Sequence, residues 1–147
     1  MDMSNGIKTT RFAVLEAERV CKVHERTLPE LRDDEVLIQN MACNICTTDY
    51  GQWSGARKNL LFPMAWGHEF AGRIVRMGGK VQGFHTGEMV GIGYDNCGEC
   101  EFCKKGLTSE CVLIGAGRNK LSPDGYHGGF GCSEYVIKPY RSLFKMD

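Results

Sequence analysis

The stretch Cys97–Cys111, "CGECEFCKKGLTSEC", holds four of the chain's eight cysteines at gaps of two, two and seven residues. Four thiols this close, set among glycines, glutamates and lysines, do not make a hydrophobic core. They must be tied to one another or to something else. A divalent zinc ion takes four thiolates tetrahedrally at about 2.3 Å, and short gaps let a loop wrap around it. Cys97, Cys100, Cys103 and Cys111 supply all four ligands. Such a site is closed, hence structural, because no position remains for water or substrate. Iron–sulfur runs also begin with gaps of two and two, but they continue with a gap of three and a proline. Here the gap is seven and there is no proline. Paired disulfides belong to oxidising compartments. The spacing favours zinc.

Outward from that stretch, 147 residues with 42% apolar content make one domain and one ordinary core. The 18 basic and 18 acidic residues are well mixed, so neither a nucleic-acid nor a membrane-surface partner is expected. The opening "MDMSNGIKTTRF" has no apolar stretch of signal-peptide type, and "LLFPMAW" is too short to span a bilayer. The expected compartment is the reducing cytoplasm, where clustered cysteines are more often metal ligands than disulfides.

The chain reads as mainly β. "TTRFAVLEA", "DDEVLIQNMA", "FAGRIVRM", "EMVGIGY" and "SEYVIKP" are rich in β-branched or aromatic residues and bounded by turn formers, as strands are. Short helical turns are expected at "CTTDYGQW" and within the cysteine stretch. Several short strands at this spacing suggest a barrel or sandwich. "GRNKLSPDGYHGGFG" reads as a long glycine-rich loop too polar for the core. A dinucleotide fold needs a glycine fingerprint between a strand and a helix. "GAGRNK" has only the first two glycines and "GIGYDN" runs straight into the cysteines, so no nucleotide-binding domain is expected within these residues.

A second constellation is split between "CNICTTD", Cys43–Asp49, and "AWGHEF", Ala65–Phe70. A lone cysteine is usually a small buried hydrophobe, and a lone histidine is more often a satisfied structural group than a ligand. Cys43-x-x-Cys46 also has the spacing of a redox pair, though without the βαβ context of one. From the residues alone, a metal site and these ordinary roles stand about level.

The residues do carry a resemblance. The Cys97–Cys111 run resembles, gap for gap, the structural-zinc lobe of the zinc-dependent medium-chain alcohol and polyol dehydrogenases. "NICTTD" is similar to that family's first catalytic-zinc motif, and "GHEFAGRIVRMG" to its Gly-His-Glu motif and the strand after it. "GGKVQGFHTGEMV" and "GGFGCSEYVIKP" resemble its later turn and strand. Five motifs in the family's order run from about residue 30 to residue 147. The resemblance implies a GroES-like catalytic domain over residues 1–147: a distorted, partly open β-barrel with a few short helices and a structural-zinc lobe.

It also implies roles. Cys46 and His68 would be ligands of a catalytic zinc, with Glu69 beside the metal and helping to hold it. Asp49 would accept the other ring N–H of His68 and fix its tautomer. Thr48 would hydrogen-bond the substrate hydroxyl and carry its proton away. The zinc would act as a Lewis acid on an alcohol whose hydride leaves for NAD or NADP. Cys21, Cys43 and Cys132 match no ligand position and read as buried thiols.

Two departures from the family pattern stand out. Gly51 occupies a position where many members carry a relay histidine. The family's remaining catalytic-zinc ligand would lie just past "SLFKMD", as would its nucleotide-binding domain. The expectation is therefore a catalytic half that is inactive alone, from a cytoplasmic, homo-oligomeric enzyme acting on a small alcohol or polyol. The alternative is a stand-alone zinc-binding interaction module without chemistry. Thr48, Asp49 and Glu69 around Cys46 and His68 weigh against it, because a purely structural protein needs no second, open site.

Overall fold

Thr9–Ala17 (β1) alternates buried and exposed residues over its first half, with Thr10, Phe12 and Val14 turned inward, as a strand with one wet face must. A register shift between Leu15 and Ala17 then buries Leu15 as well. The computed structural model describes residues 6–93, 96–112 and 122–146. Within them the strands form two sheets. The first has the order β2-β1-β4-β7, where β2 is Val20–Thr27, β4 is Met64–Ala65 and β7 is His127–Gly128. The second has the order β8-β3-β5-β6-β9. Its strands are β3 (Glu35–Asn44), β5 (Glu69–Met77), β6 (Met89–Ile92), β8 (Tyr135–Pro139) and β9 (Leu143–Lys145).

The five strands expected from the sequence are present as β1, β3, β5, β6 and β8: β1 coincides with its expected stretch, β5 is one residue longer, β3 is shifted two residues along the chain, and β6 and β8 are trimmed. The end of "EMVGIGY" and the start of "GRNKLSPDGYHGGFG" lie outside the described residues. Val36, Ile38, Phe70, Ile74, Val90 and Val136 form the main core between the strands of the second sheet. Phe12, Val14 and Ala65 form a smaller one, and Phe130 packs against both. Ile74 is fully buried, and truncating such a side chain to alanine costs about 2–5 kcal/mol.

The sheets meet at one corner. Thr10 Oγ1 donates to Tyr135 O at 3.0 Å and accepts from Tyr135 N at 2.9 Å, and Ala13 N donates to Cys132 O at 2.8 Å. These bonds join β1 to the approach of β8 without closing the barrel, so the sheets stay distinct.

One expectation fails in the glycine-rich loop. Its described part is not purely polar surface: His127 is buried and Tyr126 and Phe130 pack on Phe12, with ring centroids 4.9 and 5.2 Å away. Tyr126 and Phe130 pack on the small core, and Arg26 stacks its guanidinium 4.4 Å from the centre of Phe130. No described helix is long and apolar enough to cross a membrane.

Candidate functional site

The ladder between β3 and β5 sets the site. The two strands are antiparallel, with Cys43 opposite Phe70 and Asn44 opposite Glu69. The chain leaving β3 and the chain entering β5 are therefore neighbours, which brings Cys46 to His68 across twenty-two positions of sequence.

Directly after β3 comes a short helix, Thr47–Ser54 (α1), capped by Cys46. The Cys46 sulfur accepts from Thr48 N at 3.3 Å, and Asp49 Oδ2 accepts from Cys46 N at 2.9 Å. This reciprocal cap satisfies N–H groups that a helix start leaves over. The helix ends at Gly55, whose φ of 80° suits a residue without a Cβ; a Cβ there would sit 2.3 Å from the Glu18 carboxylate.

Cys46 Sγ lies 3.4 Å from His68 Nε2, and His68 Nε2 lies 3.7 Å from Glu69 Oε1. A tetrahedral ion with zinc-like bonds sets sulfur and nitrogen ligands about 3.6 Å apart and nitrogen and oxygen ligands about 3.4 Å apart. Zinc fits this donor set. The other ring nitrogen, His68 Nδ1, faces Asp49 Oδ1 at 3.3 Å, and Asp49 is fully buried. Asp49 Oδ1 has no other hydrogen-bond partner, so the ring is what this buried oxygen addresses. A cavity of about 870 Å³ opens in front, lined by Asn44, Thr48, His68, Glu69, Phe70 and Phe144 among others. Thr48 lines it; Thr47 is exposed and does not.

The lobe closes around the other four cysteines. Lys104 N donates to Cys100 O at 3.0 Å in a four-residue helix, Glu101–Lys104 (α2), and a 3-10 turn at Thr108–Glu110 returns the chain to Cys111. All four sulfurs lie within 4.8 Å of one another. Cys97 Sγ is 3.9 Å from Cys103 Sγ and 3.6 Å from Cys111 Sγ. A tetrahedron with arms of about 2.3 Å has edges of about 3.8 Å, so a zinc ion fits here too. Backbone N–H groups already point at the sulfurs: Glu99 N and Cys100 N donate to Cys97 at 3.4 and 3.3 Å, and Cys97 N donates to Cys111 at 3.3 Å. Donation from the backbone at Cys103 and Val112 holds the Cys100 thiol down at about 6. Burial, then the neighbouring Cys100 thiol, pushes Cys103 up to about 12. Ionising Cys103 beside Cys100 therefore calls for a nearby cation.

The structure thus brings together every residue the sequence assigned to the two metal sites. Two relationships were missed. Asn44 Nδ2 donates to Glu69 Oε2 at 3.3 Å, a contact that follows from the β3–β5 register and from no local motif. The leftover cysteines are also not buried: Cys21 is exposed on edge strand β2, and Cys43 and Cys132 are half-buried. Cys21 belongs to a strand whose residues mostly face solvent, so its small apolar character does not decide its burial.

The comparisons agree with this geometry. The family described as the alcohol dehydrogenase GroES-like domain matches residues 32–147. L-threonine 3-dehydrogenase of Vibrio cholerae is 34% identical over 148 residues, covering 95% of this chain and 40% of that protein. L-galactonate-5-dehydrogenase of Escherichia coli K12 is 33% identical over 124 residues, covering 84% of this chain and 34% of that protein. A solved dehydrogenase from Sinorhizobium meliloti 1021, described as zinc-binding and bound to NADP, superposes with a TM-score of 0.68 at 28% identity. That superposition covers 96% of this chain and 39% of the other. The chain therefore spans about two fifths of the length of such relatives. With two unclosed sheets, a cysteine lobe and a Cys46–His68–Glu69 cluster in this arrangement, the chain belongs to the alcohol dehydrogenase GroES-like domain family, which forms the N-terminal part of zinc-type medium-chain dehydrogenases.

Proposed function

We propose that this chain is the metal-holding catalytic part of a zinc- and NAD(P)-dependent dehydrogenase acting on a small polar alcohol or polyol. The observation that carries this reading is the convergence of Cys46, His68 and Glu69, with Asp49 behind the ring and Thr48 on the cavity wall. The names of the relatives, threonine and galactonate dehydrogenases, support a small hydroxyl-bearing substrate. The NADP-bound relative supports a nicotinamide partner.

Cys46, His68 and Glu69 would hold the catalytic zinc, and Cys97, Cys100, Cys103 and Cys111 the structural one. A catalytic zinc would supply Lewis acidity toward the alcohol oxygen, with nicotinamide as hydride acceptor. The chain's own residues do the rest. Asp49 keeps a proton on His68 Nδ1 and leaves Nε2 free as a donor of electrons. Thr48 accepts the substrate hydroxyl's hydrogen bond at the cavity wall and passes the proton outward. Phe70 and Phe144 give the cavity an apolar side that limits water. The described residues contain no strand–helix–strand unit for a dinucleotide. Residues 1–147 by themselves are expected to turn over no alcohol.

Metal analysis tests the reading. After dialysis the chain should keep roughly one to two zinc ions, as a closed site plus an open one predicts. Cys103→Ser should remove the tightly held equivalent and His68→Ala the weaker one. Iron, or free thiols with no metal, would overturn it. A chain whose single zinc is indifferent to His68→Ala would instead favour the stand-alone zinc module.

A further inference from the structure

Two cysteines that neither metal cluster uses meet in space. Cys43, near the end of β3, and Cys132, in the segment leading to β8, are 89 positions apart, with their sulfurs 3.3 Å apart. Both backbones are pinned. Cys43 sits in the ladder opposite Phe70. Cys132 N donates to Trp66 O at 2.9 Å, and its carbonyl accepts from Ala13 N at 2.8 Å. Asn40 Nδ2 grips the residues on either side, donating to Gly131 O and Ser133 O, each at 2.9 Å. The contact is thus set by β3 and by the cross-linked segment leading to β8, not by loose side chains.

Gly67 is fitted to the pair. Its φ is +90°, and a Cβ there would lie 2.8 Å from each sulfur and 2.5 Å from Cys132 N. The pair is also reachable: both thiols line an open cavity of about 500 Å³ beside Asn40 and Gly131, and Cys43 borders the metal-site cavity as well. Their roles are unequal. Burial and then the bond to Cys132 push the Cys43 thiol up to about 12. Burial also raises Cys132, and the contact with Cys43 offsets only part of that rise. Both thiols therefore stay protonated at rest, and Cys132, the less strongly raised of the two, is the one that gives up its proton for attack.

We propose that Cys43 and Cys132 form a peroxide-responsive dithiol that closes to a disulfide directly behind the His68 metal cluster. The oxidant is hydrogen peroxide. The Cys132 thiol gives its proton to solvent and its sulfur attacks one peroxide oxygen; the O–O bond breaks, and the departing oxygen leaves as water after taking a proton. The Cys43 sulfur, giving its proton to solvent, then attacks the sulfenic sulfur of Cys132. The S–S bond forms, the S–O bond breaks, and a second water leaves. Two thiols lose two electrons, and the peroxide gains them. Reaching a bond of about 2.05 Å asks the sulfurs to approach by little more than about 1 Å. In a reducing compartment such a bond is transient and regulatory rather than structural. Its neighbours are the metal site's own supports: Cys43 precedes Asn44, which holds Glu69, and Gly67 precedes His68.

The test uses the zinc-supplied chain itself and does not depend on its being a dehydrogenase. The protein is treated with hydrogen peroxide, alkylated, digested without reductant and analysed by mass spectrometry. The expected product is a Cys43–Cys132 linked peptide pair, two hydrogens lighter than the free peptides. It should disappear on dithiothreitol treatment, persist in Cys21→Ser and form before the lobe cysteines oxidise. In Cys43→Ser, Cys132 should run on to sulfinic acid for want of a partner. If that variant folds poorly, the wild-type peptide map decides by itself. Alkylatable Cys43 and Cys132 at doses that already oxidise the lobe would overturn the proposal. So would a Cys21–Cys132 link in their place.

Discussion

His68 Nδ1 stands 3.3 Å from Asp49 Oδ1, while the second oxygen of the same buried carboxylate accepts from Cys46 N at 2.9 Å. One side chain thereby fixes the ring of one candidate ligand and the backbone of another. Asp49→Asn keeps the shape but not the charge pattern. The amide oxygen is needed at Cys46 N, so the amide NH2 faces the ring and drives the ring proton to Nε2. Metal affinity at Cys46/His68/Glu69 should fall about 10–100-fold with secondary structure unchanged. A chelator competition with cobalt(II) measures it, and undiminished affinity would show that Asp49 serves only the helix cap.

The lobe should be separable from the barrel. One tie to the body among the described residues runs through Arg141, which donates to Asn96 O at 2.7 Å and pairs with Asp34 at 3.0 Å. Four-cysteine zinc sites carry apparent binding energies of about 10 kcal/mol or more, enough to organise a segment with little core of its own. Cys103→Ser should abolish hydrogen-exchange protection across residues 96–112 while β3 and β5 stay protected. Loss of protection in those strands as well would mean that the lobe supports the whole fold.

How much was legible in the sequence follows from how local each signal is. β1, β3, β5, β6 and β8 carry apolar runs that point into a core wherever they are placed. β2 carries Lys22, Glu25 and Arg26 on an edge strand with little buried surface, so no alternation marks it. β4, β7 and β9 are two or three residues long and exist because a partner strand is there. The lobe cysteines were readable because all four ligands lie within one short loop. Cys46, His68 and Asp49 needed a resemblance, since no spacing rule links residues 46 and 68. Asn44–Glu69 and Cys43–Cys132 depend on strand register and on a corner between two sheets, which the sequence does not state.

Acid should loosen the edge where β9 joins the second sheet. The Glu88 carboxyl is held below its usual range first by the Lys145 ammonium at 2.9 Å, then by His85 N at 3.0 Å. A depressed carboxylate stabilises the fold above its unfolded value, about 4.3 for glutamate, and that contribution is lost as pH falls through the lower folded value. Glu88→Gln should lower Tm at pH 7, and the gap from wild type should close in the acid range below that value. Thermal melts across pH measure this. A gap that stays constant into acid would assign the loss to packing.

Thr48 and Gly51 set the last prediction, which needs the full-length enzyme. A hydroxyl in the path of the substrate proton is worth about 10²–10⁴-fold in rate. Thr48 lines the cavity and Thr47 does not, so the two neighbours separate chemistry from helix effects. Thr48→Ala should cut turnover within that range with zinc content unchanged, Thr48→Ser should keep most of it, and Thr47→Ala should do little. Beyond Thr48, Gly51 would be the relay position, and an added Cβ there would meet only Arg57 Cβ at 3.9 Å, an ordinary contact. A side chain fits there, and replacing a glycine within a helix gains up to about 1 kcal/mol of helix propensity. Gly51→His should therefore fold, and its imidazole should raise turnover at the acid end of the pH profile, where proton removal limits the rate. Near-wild-type turnover in Thr48→Ala, with a chemical step still sensitive to substrate deuteration, would remove Thr48 from the proton path altogether.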